Sequence, residues 1–168
     1  AIFNAAENIA FIVTEENENN EDIITEFSPG AENLYKYRKK AVINRNLSLL
    51  FPKDRKNLYK KVKKLVKKGE KWQNKLYIST KKDGTIPALV TVYPIEIHKN
   101  KLKALISAID ISELEATRKE LLNTKQELES IFKSIQDGIS VLDTDLTIKY
   151  TNEVMEEWYK SNMPIKGK

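Results

Sequence analysis

The 168-residue chain is 40% apolar and 32% charged, with a net charge of +5, which suits a folded protein with long exposed helices and one core of roughly 100 residues, not a disordered chain. It contains no cysteine, so disulfides, thiolate metal sites, iron–sulfur clusters and cysteine nucleophiles are excluded within it. No apolar run reaches the roughly 20 residues of a membrane span, and no signal-peptide pattern is present.

In chain order, "NIAFIVT" (8–14) predicts a strand, the polar "EENENNED" (15–22) a loop, and "IITEF" (23–27) a second strand. "SPGAENLYKY" then offers Ser28 as an N-cap with Pro29 at the first helical position. Short helical turns follow as far as "NLSLLFP", where Pro52 marks a boundary. In "KDRKNLYKKVKKLVKKGEK" (53–71), Leu58, Val62, Leu65 and Val66 form one apolar helical stripe, with lysines on the other face and Gly69 as the C-cap residue. Lys60, Lys61, Lys63, Lys64, Lys67 and Lys68 are open to two readings: a solvated face, or a nucleic-acid or acidic-membrane surface. Few aromatics interleave with them, so nucleic acid is the weaker partner.

Three strands come next. Trp72, Leu76 and Ile78 share one face of the first, Ile86, Ala88, Val90 and Val92 one face of the second, and Ala104, Ile106 and Ala108 one face of the third. Asp83-Gly84 and "HKNK" supply the turns. Two strands, several helices and three antiparallel strands make an α+β domain whose sheet is covered by helices on one face.

Ser112 and Glu115 have capping-box spacing at the start of a helix of roughly 24 residues, about 36 Å long. Leu114, Leu121, Leu128 and Ile135 recur every seven residues; Ile111 and Phe132 extend the other core position, which Arg118 and Lys125 interrupt. So narrow a seam predicts a parallel homodimer through this helix; the alternative is a helix lying back on its own domain. A marginal coiled coil also suits a switchable connector.

The stretch "IFKSIQDGISVL" (131–142) echoes "IFNAAENIAFIV" (2–13). Aligned on Ile2 and Ile131, Ile12 faces Val141 and Val13 faces Leu142; after a loop five residues longer in the first copy, Ile24 faces Ile148, Ser28 faces Asn152, Glu32 faces Glu156 and Tyr35 faces Tyr159. A repeated domain is the better explanation.

With "FSPGAENLYKY", "NLSLLFPKDR", "KKDGT" and the exit "AIDIS" in this order, the first unit resembles a PAS domain, the sensory module common in bacterial and archaeal signalling proteins. Asp110, Ile111 and Ser112 match the Asp-Ile-Thr that commonly ends the last strand of that family; Lys36 departs from a frequent glycine. The resemblance implies a PAS fold, a five-stranded antiparallel sheet with helices on one face and a long connecting helix after it. It divides the chain into a PAS domain (1–111), a signalling helix (112–136) and the truncated opening of a second PAS domain (137–168).

That family implies a pocket between sheet and helices, with Phe11, Phe27, Tyr37, Trp72, Ile78, Val90, Val92 and Ile106 as candidate lining; a simply filled core is the alternative. Asp110, Ile111 and Ser112 are the expected signal exit. The sole histidine, His98, lacks a histidine-kinase phosphorylation context and lies outside the helix that supplies haem ligands in this family. LOV-type flavin chemistry needs a cysteine. No metal site, catalytic motif or firm cofactor is expected, while an unknown small molecule remains a candidate ligand. The expected role is a sensory module, with no enzyme activity of its own. It feeds a downstream effector such as a histidine kinase, a cyclic-dinucleotide enzyme or a transcription regulator. The rival is a ligand-free dimerisation module. The expected location is cytoplasmic, in a soluble protein or the cytoplasmic part of a membrane-anchored one.

Overall fold

A computed structural model describes residues 8–51, 56–81, 84–98 and 101–159, so Pro52, Asp83 and the opening of the first echo copy lie outside the described residues. The chain forms two compact units, Ala1–Leu114 and Glu115–Lys168.

In the first unit the order is β1 (Ala10–Glu16), β2 (Asp22–Phe27), α1 (Pro29–Tyr35), α2 (Lys39–Val42), a 3-10 turn (Leu47–Leu50), α3 (Lys56–Val66), β3 (Trp72–Ser79), β4 (Thr85–His98) and β5 (Lys101–Asp110). The strands form one antiparallel sheet in the order β2-β1-β5-β4-β3, which puts the last strand at its centre. Alternation decides which side chains go inside. Ala10 and Ile12 of β1, Ala88 and Val90 of β4 and Ala104, Ile106 and Ala108 of β5 are buried on the same core, which Val42, Leu50 and Val66 close from the helical side.

Ser28 caps α1 as expected. Its buried hydroxyl accepts from the N–H groups of Ala31 (3.1 Å) and Phe11 (2.9 Å), tying the helix start to β1. Gly69 (φ +86°) and Gly84 (φ +74°) hold left-handed conformations after α3 and before β4. Lys36 does the work of the family's glycine: it ends α1 at φ 60°, ψ 23°, its N–H bonded to Glu32 O. The turn therefore keeps its shape, with a Cβ in a left-handed conformation costing about 1 kcal/mol. Lys36→Gly is expected to stabilise the domain by several tenths of that, less glycine's unfolded-state entropy; a lower melting temperature in calorimetry would contradict this.

One sequence expectation needs correction. The polar run after β1 is not all loop: Glu15 and Glu16 continue β1, and Asp22 opens β2. The loop is only 17–21, where the Asn17 side-chain oxygen takes the N–H groups of Asn19 and Glu21, each at 2.9 Å. Polarity was the wrong criterion, because Glu16 and Asp22 pair across the hairpin and both face inward.

The helix α4 (Ser112–Ser134) begins in the first unit and ends in the second. It stops before Ile135, which drops out of the expected seam. The second unit continues with β6 (Ser140–Leu142), β7 (Ile148–Thr151) and α5 (Glu153–Trp158). Its hairpin repeats the first one closely. In both, a bulge skips one residue: Val13↔Glu26 is followed by Thr14↔Ile24, and Val141↔Tyr150 by Leu142↔Ile148. Asn152 replaces Ser28, its side-chain oxygen accepting from Ile139 N–H (2.9 Å) and Met155 N–H (3.1 Å). This geometry corrects the first-strand alignment by one residue. Ile12↔Phe27 corresponds to Ser140↔Thr151, so Ile12 matches Ser140 and not Val141; the paired residues are 15 and 11 positions apart, and the four extra residues lie in the longer strands of the first hairpin and not in its loop. Apolar side chains attracted the sequence alignment, whereas the pleat and the bulge determine equivalence.

Candidate functional site

Between the sheet and α3 lies a cavity of about 50 Å³. Strands β3, β4 and β5 contribute Trp72, Val90, Val92, Ala104 and Ile106; the helical side contributes Leu47, Phe51, Leu58 and Val62. The small side chain of Ala104 leaves the space that a larger residue on this central strand would fill.

One end of the cavity is polar. The hairpin pairing sets the carboxylates of Glu16 and Asp22 beside each other on the core face, an arrangement unfavourable by itself. Two lysines of α3 and its C-terminal end resolve it. Lys67 Nζ lies 2.8 Å from both Glu16 oxygens, and Lys63 Nζ lies 2.9 Å from Glu16 Oε1 and 3.0 Å from Asp22 Oδ1. The remaining side of Glu16 accepts the Leu102 N–H at 3.1 Å. Burial pushes the Glu16 carboxyl up, but Lys67, Lys63 and the Leu102 N–H outweigh it and hold it below its ordinary 4.5. Asp22 Oδ2 accepts the Tyr59 hydroxyl. Burial first, and then the bond to Asp22, drive the Tyr59 phenol far above its ordinary value, so it remains a donor.

Of the eight candidate lining residues, Trp72, Val90, Val92 and Ile106 line the cavity. Ile78 and Phe27 are buried in the packed core instead, Phe27 against Tyr35 with ring centroids 6.1 Å apart. Tyr37 sits away from the cavity under the Lys81 ammonium, 5.7 Å from its ring centroid. Phe11 is corrected by strand parity: Ile12 and Thr14 point to the core, so Phe11 lies on the other face. The polar end escaped the sequence reading, although alternation from Ile12 through Thr14 to Glu16, and from Ile24 back to Asp22, was its signal. The lysine face is also corrected. Lys63 and Lys67 are turned inward, while Lys60, Lys61, Lys64 and Lys68 are exposed. The side chain of His98 lies outside the described residues.

The exit is built on β5. Asp110 pairs with Ala88 and Ile111 N–H donates to Pro87 O at 3.1 Å, so the strand remains tied to β4 up to the helix. Asp110 Oδ1 takes the Ser112 N–H at 2.8 Å, so its carboxylate is an acceptor at the start of α4. Asp110→Ala should cost about 1 kcal/mol, read as an earlier unfolding midpoint in urea; an unchanged midpoint would remove the cap. Along α4, Leu114, Leu121 and Leu128 are 61%, 70% and 62% exposed.

The PAS domain family profile matches residues 8–113. The chain belongs to the PAS family. Solved structures share the PAS fold at low identity. A PAS domain from Colwellia psychrerythraea is 23% identical with a TM-score of 0.55, over 64% of this chain and 92% of that one. The PAS domain of a LuxR-family transcriptional regulator from Burkholderia thailandensis, solved in complex with ethanol, is 11% identical with a TM-score of 0.55, over 66% and 94%. A blue-light activated histidine kinase from Erythrobacter litoralis is 12% identical with a TM-score of 0.53, over 71% of this chain and 40% of that one. No curated protein matches. Among the described residues of this PAS protein, no helix is long and apolar enough to cross a membrane.

Proposed function

We propose that the PAS domain is the sensory module of a multidomain signalling protein, taking a small molecule into its cavity and passing the change to an effector through a paired α4. The observation that carries this reading is continuity: Ala104 and Ile106 line the cavity on β5, and the same strand runs through Asp110 into α4. Ile106 and Ser112 are six residues apart, roughly 20 Å of extended strand. A shift of β5 that relieves crowding at Ile106 therefore acts directly on the cap of α4.

The module acts by binding and not by catalysis. Its effector is a histidine kinase, another signalling enzyme or a transcription regulator; the kinase and regulator neighbours support that range. The cavity of about 50 Å³ is far below the roughly 300 Å³ of ordinary ligand pockets, which supports a ligand much smaller than haem or a flavin. With no cysteine, it also lacks the flavin-adduct nucleophile. A ligand small enough for this space suits it better. In the second unit, the matching bulge and the Asn152 cap support the opening of a second PAS repeat.

Xenon tests the cavity without regard to ligand chemistry, because it enters dry apolar space. In methyl NMR, Val90, Val92 and Ile106 are expected to shift saturably with xenon pressure, with Val141 unmoved. Uniform small shifts without saturation would leave a filled core and favour a pure dimerisation module.

A further inference from the structure

Among the described residues, two side chains belong to both the cavity and a neighbouring open groove. Tyr59 and Lys63, one turn apart on α3, line the cavity on their inner side and an open groove on their outer side. The groove is bordered by Asn20 and Glu21 of the first hairpin and by Lys60 and Lys64 of α3. Asp22 belongs to the inner lining and holds both gate residues.

Asp22 is 5% exposed, and its two oxygens differ. Oδ2 takes the Tyr59 hydroxyl. Oδ1 faces the Lys63 ammonium at 3.0 Å as an ion pair, but accepts no hydrogen bond among the described residues. The Lys63 ammonium compensates the charge of this oxygen, which still has a lone pair to offer a donor arriving from the cavity.

We propose that the cavity takes a small neutral molecule with an apolar body and one hydroxyl group, which enters between Tyr59 and Lys63 and donates its hydroxyl to Asp22 Oδ1. This rests on the sensory reading and assigns the ligand class. The apolar walls select the body. The charge at the polar end selects neutrality: Lys63 repels a cationic donor, Asp22 repels an anion, and the mostly apolar walls solvate neither ion. At about 50 Å³, against roughly 30 Å³ for one water, the closed space is smaller than two waters, so a body of about two to four carbons enters only as the gate side chains move outward. Affinity on the order of millimolar follows from so few atoms.

The test uses the full chain and two isomers, 1-butanol and diethyl ether, which share their atoms but not a donor. Methyl resonances of Val90 and Ile106 are expected to saturate with 1-butanol and to need at least about tenfold more ether. In Asp22→Ala the two isomers should become equivalent while the xenon shifts persist; if that variant does not fold, the wild-type comparison decides alone. Tyr59→Phe should quicken exchange of 1-butanol by removing the latch, and an unchanged rate overturns the entry route. Equal affinity for ether and alcohol overturns the donor. Tighter binding of butylamine or butyrate overturns the neutral class while leaving a sensory cavity. Silence towards every probe, xenon included, overturns both the class and the sensory reading.

Discussion

Glu16→Ala is expected to destabilise the PAS domain by about 3 kcal/mol, because removing one member of a buried ionic cluster leaves the others uncompensated. Glu16 is the hub: it neutralises Lys67, shares Lys63 with Asp22 and accepts the Leu102 N–H from β5. Without it the Leu102 N–H loses its side-chain acceptor, and Lys67 must turn towards solvent. The same carboxylate predicts acid lability. Its pKa is lower in the folded state than the ordinary 4.5 of the unfolded chain, so its contribution is complete above that value and fades as pH falls through the folded pKa. Denaturant titrations from pH 7 to pH 3 should show the wild type losing stability more steeply below about pH 4.5 than Glu16→Gln does. Parallel profiles would mean that Glu16 does not supply the acid dependence.

Leu121→Lys together with Leu128→Lys should convert a dimer into a monomer. Both side chains lie on α4 with most of their surface exposed, so the change leaves the domain core intact. In a paired helix each copy buries two leucines at about 1.5 kcal/mol or more apiece, and lysine both forfeits that and adds repulsion. Dimer affinity should fall by at least roughly 100-fold. Sedimentation equilibrium of the full chain reads this directly. A wild type that is already monomeric at about 100 µM would remove the paired helix from the proposal. Lys125 does not rescue the seam, since it leans along the helix towards Glu129 at 3.7 Å.

Much of the architecture was legible where local chemistry and tertiary packing agree. Ser28 followed by Pro29 announced the start of α1, Gly69 the end of α3, and strict alternation the inward faces of β3, β4 and β5. Legibility failed where a residue's surroundings are made by distant segments. Glu16 and Asp22 read as loop because charge usually means solvent; only the fold brings Lys63 and Lys67 to them. Phe11 is a candidate lining residue by the family resemblance, yet the parity set by Ile12 places it on the other face. Lys36 departs from the family's frequent glycine in residue type, yet it adopts the φ of 60° that the turn needs. The bulge that both hairpins share, after Val13 and after Val141, sets an equivalence one residue away from the apolar alignment, which no run of apolar letters records. The cavity itself depends on what Ala104 leaves unfilled between sheet and α3, a volume that no linear pattern contains.

Coupling between the cavity and the helix is the central claim, and one measurement addresses it directly. Xenon pressure is raised on the labelled full chain while the cavity methyls of Val90 and Ile106 and the backbone amides of Ile111, Ser112 and Leu114 are followed in the same spectra. The Ser112 N–H reports the Asp110 cap at the start of α4, so a relay through β5 moves it along the same saturation curve as the methyls. Saturating methyls beside a Ser112 amide that stays still would contradict the relay, leaving a cavity with no output through this helix.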